Sequence, residues 1–191
     1  MMGTIKATNI EPIADNGTVT LGSSGDTLTV PSGVTVAGAM ANTPAFHVFK
    51  TSEQTGVSDS SWTVVQMDSV LFDTDSGFAN NTYTIPTGKG GKYFFYGACR
   101  ILAAAGTDKN ERSFLRLLRT RDSTDTNVCQ SGIDIRNNPM YNMSIKLSSI
   151  LDCQAGDVFK LQGFGDVTSG TVTFSNNIAQ GYFGAYRLIG T

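Results

Sequence analysis

Residues 92–102 read KYFFYGACRIL, and this stretch is apolar on both parities of an extended chain. In a strand, Tyr93, Phe95, Gly97, Cys99 and Ile101 project to one side, and Phe94, Tyr96, Ala98 and Leu102 to the other. A strand with one wet face alternates apolar and polar residues. This one does not, so both of its faces must be covered. One face fits the core of a sandwich. For the other, in an antiparallel protein with few helices, the simplest cover is another copy of the chain. A Tyr or Phe moved out of water contributes roughly 2 kcal/mol. Phe94 and Tyr96, repeated around a threefold axis, would supply well over ~10 kcal/mol before ordering costs are subtracted. Left uncovered, the same rings would form a large apolar patch on a monomer.

The flanks of this strand are rich in turns. Thr87–Gly91 (TGKGG) is a tight turn that feeds it, and Thr82–Pro86 (TYTIP) is a short strand ended by Pro86. Asp73–Asn81 is a turn-rich loop carrying Phe78, and Ser61–Met67 (SWTVVQM) and Ser69–Phe72 (SVLF) are strand material. Thr51–Ser61 is polar and contains Gly, which predicts a loop. Pro44–Lys50 (PAFHVFK) opens the domain with a strand that begins after a Pro, which has no N–H for a ladder. Downstream, Ala103–Asn110 reads as loop. Glu111–Arg121 (ERSFLRLLRTR) fits a helical stripe of Phe114, Leu115, Leu117 and Leu118 or a strand; its length and the strands on both sides favour the strand. Thr126–Ile135 is a weaker strand. Tyr141–Leu151 alternates cleanly, with Tyr141, Met143, Ile145, Leu147, Ser149 and Leu151 on one face. Ala155, Gly156 and Asp157 make a turn, and Val158–Phe164, Thr171–Phe174 and Gly181–Ile189 complete the set. Roughly eight to ten closely spaced strands without a convincing helix predict an all-β antiparallel β-sandwich or jelly roll.

A length of 191 residues suits one domain, or one domain with an extension. Residues 44–191 form the domain, and residues 1–43 differ from it. They hold no aromatic residue and carry three short β-branched runs, Val19–Leu21 (VTL), Thr27–Val30 (TLTV) and Val34–Val36 (VTV). Runs at this spacing suit strand-turn-strand winding or the rungs of a small β-solenoid. Such short strands bury too little to stand alone, so Val19, Leu21, Leu28, Val30, Val34 and Val36 are expected to dock on a partner protein or on sister chains. A disordered Gly/Ser/Thr arm is the alternative.

Other function classes find little support. A net charge of −2 gives no electrostatic footprint for nucleic acid. The first residues, MMGTIKATNIEP, hold no apolar core of signal-peptide length, and no run approaches the ~20 apolar residues that span a bilayer. Synthesis in a cytoplasm without membrane insertion is therefore expected. Three cysteines make no disulfide framework, and Cys99 and Cys153 read as small buried hydrophobes. His47, the only histidine, sits in the opening strand, and no Gly-x-Ser-x-Gly turn offers a nucleophile. No cofactor or enzyme activity is expected. Asp73, Asp75 and Gly77 match the first half of a calcium loop whose terminal Glu is missing, and Asp122 and Asp125 form a second acidic loop. Solvated turn residues are the default for both. Arg112, Arg116, Arg119 and Arg121 are the one dense basic cluster. They suit a solvated face or a seam between copies, paired there with Asp134 or Asp152 of a neighbour.

Four segments together resemble the trimeric jelly-roll superfamily of tumour necrosis factor and the globular head of complement first-component q. They are PAFHVFK (Pro44–Lys50), the run from Val70 to Gly97, SSILDCQAGDVFKLQG (Ser148–Gly163) and GYFGAYRLIG (Gly181–Gly190). In the second, Phe72, Tyr83, Thr84, Pro86, Gly91, Tyr93 and Phe95 match the superfamily's signature; in the last, Phe183 and Gly184 stand adjacent where the superfamily has a residue between them. The resemblance implies a trimeric jelly roll, with Phe94, Tyr96, Leu102, Tyr182 and Tyr186 at the trimer interface. LGSSGDTLTVPSGVTVAG (Leu21–Gly38) is similar to N-terminal segments of bacteriophage fibre and decoration proteins. That implies a homotrimeric virion protein on the particle surface, held to a capsid or tail protein by its arm. It would serve as capsid decoration or head fibre or, alternatively, as a tail fibre that adsorbs to host surface glycans.

Overall fold

The computed structural model describes residues 43–188 without a gap and, before them, residues 20, 23–27, 29, 30, 32 and 34. The chain divides into two units, 1–37 and 38–191. In the first, Asp26 N donates to Ser23 O and Ser23 N to Asp26 Oδ2, closing the turn expected between the first two β-branched runs. Thr27, Thr29, Val30 and Val34 belong to no strand, and Val30 and Val34 are exposed. Val19, Leu21, Leu28 and Val36 lie outside the described residues.

The second unit has thirteen strands and no helix among its described residues: β1 (Ala45–Phe49), β2 (Gln54–Val57), β3 (Thr63–Val64), β4 (Ser69–Asp73), β5 (Phe78–Ala79), β6 (Thr82–Thr84), β7 (Gly91–Ala103), β8 (Asn110–Arg121), β9 (Thr124–Asp134), β10 (Asn142–Cys153), β11 (Val158–Val167), β12 (Val172–Phe174) and β13 (Tyr182–Arg187). All pairings between them are antiparallel. The first sheet runs β2-β12-β7-β13-β1-β4, with β10 on the other side of β7; the second runs β5-β6-β11-β8-β9, with β3 also on β11. β7 is thus central to the first sheet, paired along its length with β10 and on its other side with β13 and β12.

The core lies between the sheets. Tyr93, Phe95, Cys99 and Ile101 of β7 are fully buried there with Phe46 and Val48 of β1, Phe183 of β13, Leu115 and Leu117 of β8, and Phe159 and Leu161 of β11. Each such side chain contributes about 1.5–3 kcal/mol relative to exposure. Phe46 stacks on Tyr83 at 4.0 Å and meets Phe183 edge-on at 5.0 Å. Burial pushes the Cys99 and Cys153 thiols up to about 12, so both act as inert core residues. The alternation expected for Tyr141–Leu151 holds, with Ile145 and Leu147 buried and Met143 and Leu151 packed against the core. β8 is a strand throughout, as its length favoured.

Three boundaries differ from expectation. Residues 51–61, expected as loop, contain β2, whose Val57 is buried opposite Val172; one buried side chain among polar neighbours leaves no periodic signal. Of Ser61–Met67, expected as strand, only Thr63 and Val64 join a ladder. Beyond them Val65 N still donates to Leu161 O, and then side chains hold the backbone, as Gln54 Oε1 accepts Gln66 N and Asn81 Oδ1 accepts Met67 N. The loop over Asp73–Asn81 contains β5, which turns into β6 through Asn80 and Asn81, both at positive φ. That is the type I′ geometry whose twist suits a two-residue hairpin, and Asp122 and Ser123 repeat it between β8 and β9.

Candidate assembly face

The register of the first sheet brings one set of side chains onto its outer face. Ile150 of β10 stands opposite Phe94 of β7, which stands opposite Tyr186 of β13. In the next row Tyr96 faces Gly184, Gly184 faces His47, and His47 faces Phe72 of β4. In the row after that, Ala98 faces Tyr182 and Tyr182 faces Phe49. Alternation along each strand does the rest. Residues neighbouring the buried Phe46, Val48, Tyr93, Phe95, Phe183 and Ala185 must point outward.

The rings on this face touch one another. His47 lies 5.7 Å from Tyr96, 5.9 Å from Tyr182 and 6.2 Å from Phe72, with near-parallel planes in each case. Phe94 packs on Tyr96 and on Tyr186 at 6.1 and 5.4 Å. His47 Nδ1 and the Tyr96 hydroxyl share a hydrogen bond of 2.9 Å. Gly184 makes room for this arrangement. A Cβ there would stand 2.4 Å from the Tyr96 ring and its oxygen, so the tyrosine lies directly over bare backbone. Burial lowers the His47 pKa, and burial followed by the neighbouring Tyr186 and Tyr182 raises that of Tyr96, so both are neutral near pH 7. Of the charged residues on the same face, Lys92 and Asp152 stand opposite each other at one end, while at the other Arg100 stands opposite Ser144 and Lys146 stands opposite Ala98, in the row of Tyr182. The apolar surface also reaches both flanks of the sheet. Ile150 is 60% exposed at one, and Val70, Leu71 and Phe72 are 55, 63 and 43% exposed at the other.

Four residues expected at an interface, Phe94, Tyr96, Tyr182 and Tyr186, are therefore brought together. Leu102 is not among them. It is on the same side of β7 but near its end, opposite Asn142 and Thr173, in a hollow lined also by Glu53, Tyr141 and Thr171. His47, Phe49, Phe72 and Ile150 join the cluster unannounced. The register alone carries the first three there, and Ile150 interrupts the polar side of an otherwise alternating strand.

The remaining candidates serve the fold. Both carboxylate oxygens of Asp73 accept backbone N–H groups, from Gly77 and Phe78, and Asp75 pairs with Lys89 at 3.4 Å while accepting from Thr74. These two acids hold a turn together. Asp125 accepts from Thr120 and pairs with Lys160. Three arginines of the cluster find partners within their own chain, whereas the buried Arg119 Nε has no hydrogen-bond partner among the described residues. Arg112 Nε donates to Asp166, Arg116 Nε to Gln162, and Arg121 to both oxygens of Asp157. Asp157 is buried, which works against its charge, but the Arg121 guanidinium and the Gln154 N–H outweigh this and hold its pKa low. The β8–β11 register sets Arg112 opposite Asp166 and Arg116 opposite Gln162, on the outer face of the second sheet.

No protein-family model matches the chain, and no curated protein does. Solved structures do match. The Eiger TNF of S. frugiperda aligns at a TM-score of 0.57 and 16% identity, over 79% of this chain and 96% of its own. Murine APRIL at pH 5.0 aligns at 0.56 and 10% identity, over 75% of this chain and 98% of its own. The fold is a TNF-like jelly roll. At these identities the likeness shows the fold alone.

Proposed function

We propose that the chain is a homotrimeric bacteriophage virion structural protein. Residues 1–43 anchor it to a capsid or tail protein, and the jelly roll projects from the particle surface as capsid decoration or head fibre. One observation carries the self-association: the outer face of the first sheet, where His47, Phe72, Phe94, Tyr96, Tyr182 and Tyr186 stack only partly covered by their own chain. An apolar surface of this kind marks an interaction site. Its two flanks differ, Ile150 on β10 and Val70–Phe72 on β4, so a head-to-tail contact that closes into a ring suits it better than a twofold. The arm supports the attachment role through composition. It carries small β-branched runs that bury too little to stand alone, in a segment resembling those of phage fibre and decoration proteins.

One observation favours the second reading, a tail fibre that adsorbs to host surface glycans. The outer face of the second sheet stays open when the first is covered, and it sets Trp62 and Phe164 beside Gln162 and Arg116. Rings and planar hydrogen-bonding groups side by side suit a sugar. Light scattering of the full chain tests the assembly, with an expected mass three times the 20.3 kDa of one chain. Locating the chain on intact particles separates the roles: many copies on the capsid lattice mean decoration, and a few at the tail mean adsorption. A monomeric mass overturns the proposal.

A further inference from the structure

We propose that the single histidine of the chain makes self-association proton-linked, so that the assembly closes with His47 neutral and opens as its imidazole takes up a proton. This rests on the reading above, that copies meet through the outer face of the first sheet.

His47 sits in the middle of that face. Ring carbons or bare backbone surround it on its sheet neighbours: Phe72 on β4, Gly184 and Tyr182 on β13, and Tyr96 beyond them on β7. The titratable groups facing it are the hydroxyls of Tyr96, whose pKa burial raises, and of Tyr182 and Tyr186. The acids and bases of the packed strands stand elsewhere. Asp73 of β4 turns to the backbone of Gly77 and Phe78, Arg187 of β13 packs against Gly91, Lys92, Arg100 and Asp152 occupy more distant rows, and Lys146 of β10 stands in the adjacent row, two strands beyond Tyr182 and opposite Ala98. No carboxylate of the described residues is hydrogen-bonded to the imidazole.

A neutral imidazole meets this setting with one N–H and one lone pair, and its bond to the Tyr96 hydroxyl works in either tautomer. A protonated ring carries N–H on both nitrogens. Tyr96 can then only accept, and the second N–H needs an acceptor among ring faces. In a single chain, water supplies it; under a second copy, water is excluded. Partial burial within one chain already lowers the His47 pKa, and fuller cover moves it further the same way. The sign follows. A group whose pKa falls on assembly favours the assembled state above its free-chain pKa, and this support is lost as pH drops through that value. Three copies bring three imidazoles. The trimerisation constant should therefore fall by up to about 1,000-fold per pH unit between the two pKa values.

Sedimentation of the full chain between about pH 8 and about pH 5.5 tests this, within the range where histidine titrates and most carboxylates do not. The expected result is a trimer at the higher pH that dissociates on acidification, and a pH-independent constant for His47→Gln. His47→Phe serves if the amide variant fails to assemble. Equal pH dependence in wild type and variant, or tighter assembly in acid, overturns the proposal while leaving the trimer intact. A wild-type monomer at about pH 8 overturns the assembly reading itself. NMR titration of the one imidazole in the unaltered protein checks the same point without a mutation. Its pKa should be lower in concentrated, assembled samples than in dilute ones, and an unchanged value counts against the linkage.

Discussion

The two sheets of this sandwich both carry aromatic rings on their outer faces, yet the rings are treated differently. On the second sheet each ring has its own cover. The Arg116 guanidinium lies 4.1 Å above Trp62, Arg112 lies 5.7 Å from Phe164, and Phe114 closes over Gly132. Those arginines are in turn fixed by Gln162 and Asp166. On the first sheet the rings have only each other and one neutral histidine. A cation over a ring can be satisfied within one chain and still face water. A stack of uncharged rings keeps apolar surface at the edge of water, and under the assembly proposed above another copy covers it. The difference is what separates the side that the proposal leaves open from the side that it closes.

The largest effect should come from placing charge on the side that closes. Phe94→Asp combined with Tyr96→Asp should convert the trimer to monomers, read as a threefold fall in mass by light scattering, with the circular dichroism of the β-sandwich retained. Both side chains point away from the core, so the fold survives their loss. An unchanged mass would mean that copies meet through another surface.

The central strand was the most legible part of the sequence because its two parities are both apolar: Tyr93, Phe95 and Ile101 lie buried on one side, and Phe94 and Tyr96 stand partly exposed on the other. Half of the assembly face was legible for the same reason. The other half was not, because it depends on strands far apart in the chain. His47 reads as an isolated strand histidine until β13 is laid between β1 and β7, and Phe72 acquires its neighbours only through β4 pairing with β1. The arginine cluster misled in the opposite direction. Its spacing on β8 was plain, but the Asp and Gln that hold it come from β11, some 45 residues or more away, as the Arg112–Asp166 separation of 54 and the Arg116–Gln162 separation of 46 show.

Gly184 offers a subtler disturbance of the same face. Gly184→Ala would set a methyl group 2.4 Å from Tyr96, displacing the ring and its bond to His47 without adding charge. Overpacking of this kind costs about 1–3 kcal/mol. Part of it falls on an outward side chain that can swing away and part on the Phe46 carbonyl oxygen 2.8 Å from the methyl, so both folding stability and trimerisation should weaken, the latter by roughly 10- to 100-fold. Sedimentation and denaturant unfolding of the same sample separate the two effects. A loss confined to unfolding would show that the Tyr96 position matters to the fold and not to assembly.

On the open side, substitutions should cost stability and leave mass untouched. Arg112→Ala removes the cation from Asp166, which is only 9% exposed and retains Ser60 as its remaining side-chain donor. A buried carboxylate left short of a partner loses about 1–3 kcal/mol.

Arg116→Ala should have the smallest effect, and it is the sharpest test of the contrast. Its guanidinium covers Trp62 and is tied to a neutral amide, so no buried charge is stranded when it goes. The loss should be about 0.5–1 kcal/mol, the worth of a partly exposed cation over a ring. Tryptophan fluorescence should shift to the red as water reaches the indole, and the chain holds only one tryptophan to report it. If uncovering Trp62 instead makes the protein associate further, then a single guanidinium is what keeps the second sheet from behaving like the first. The two faces would then differ by their arginines alone.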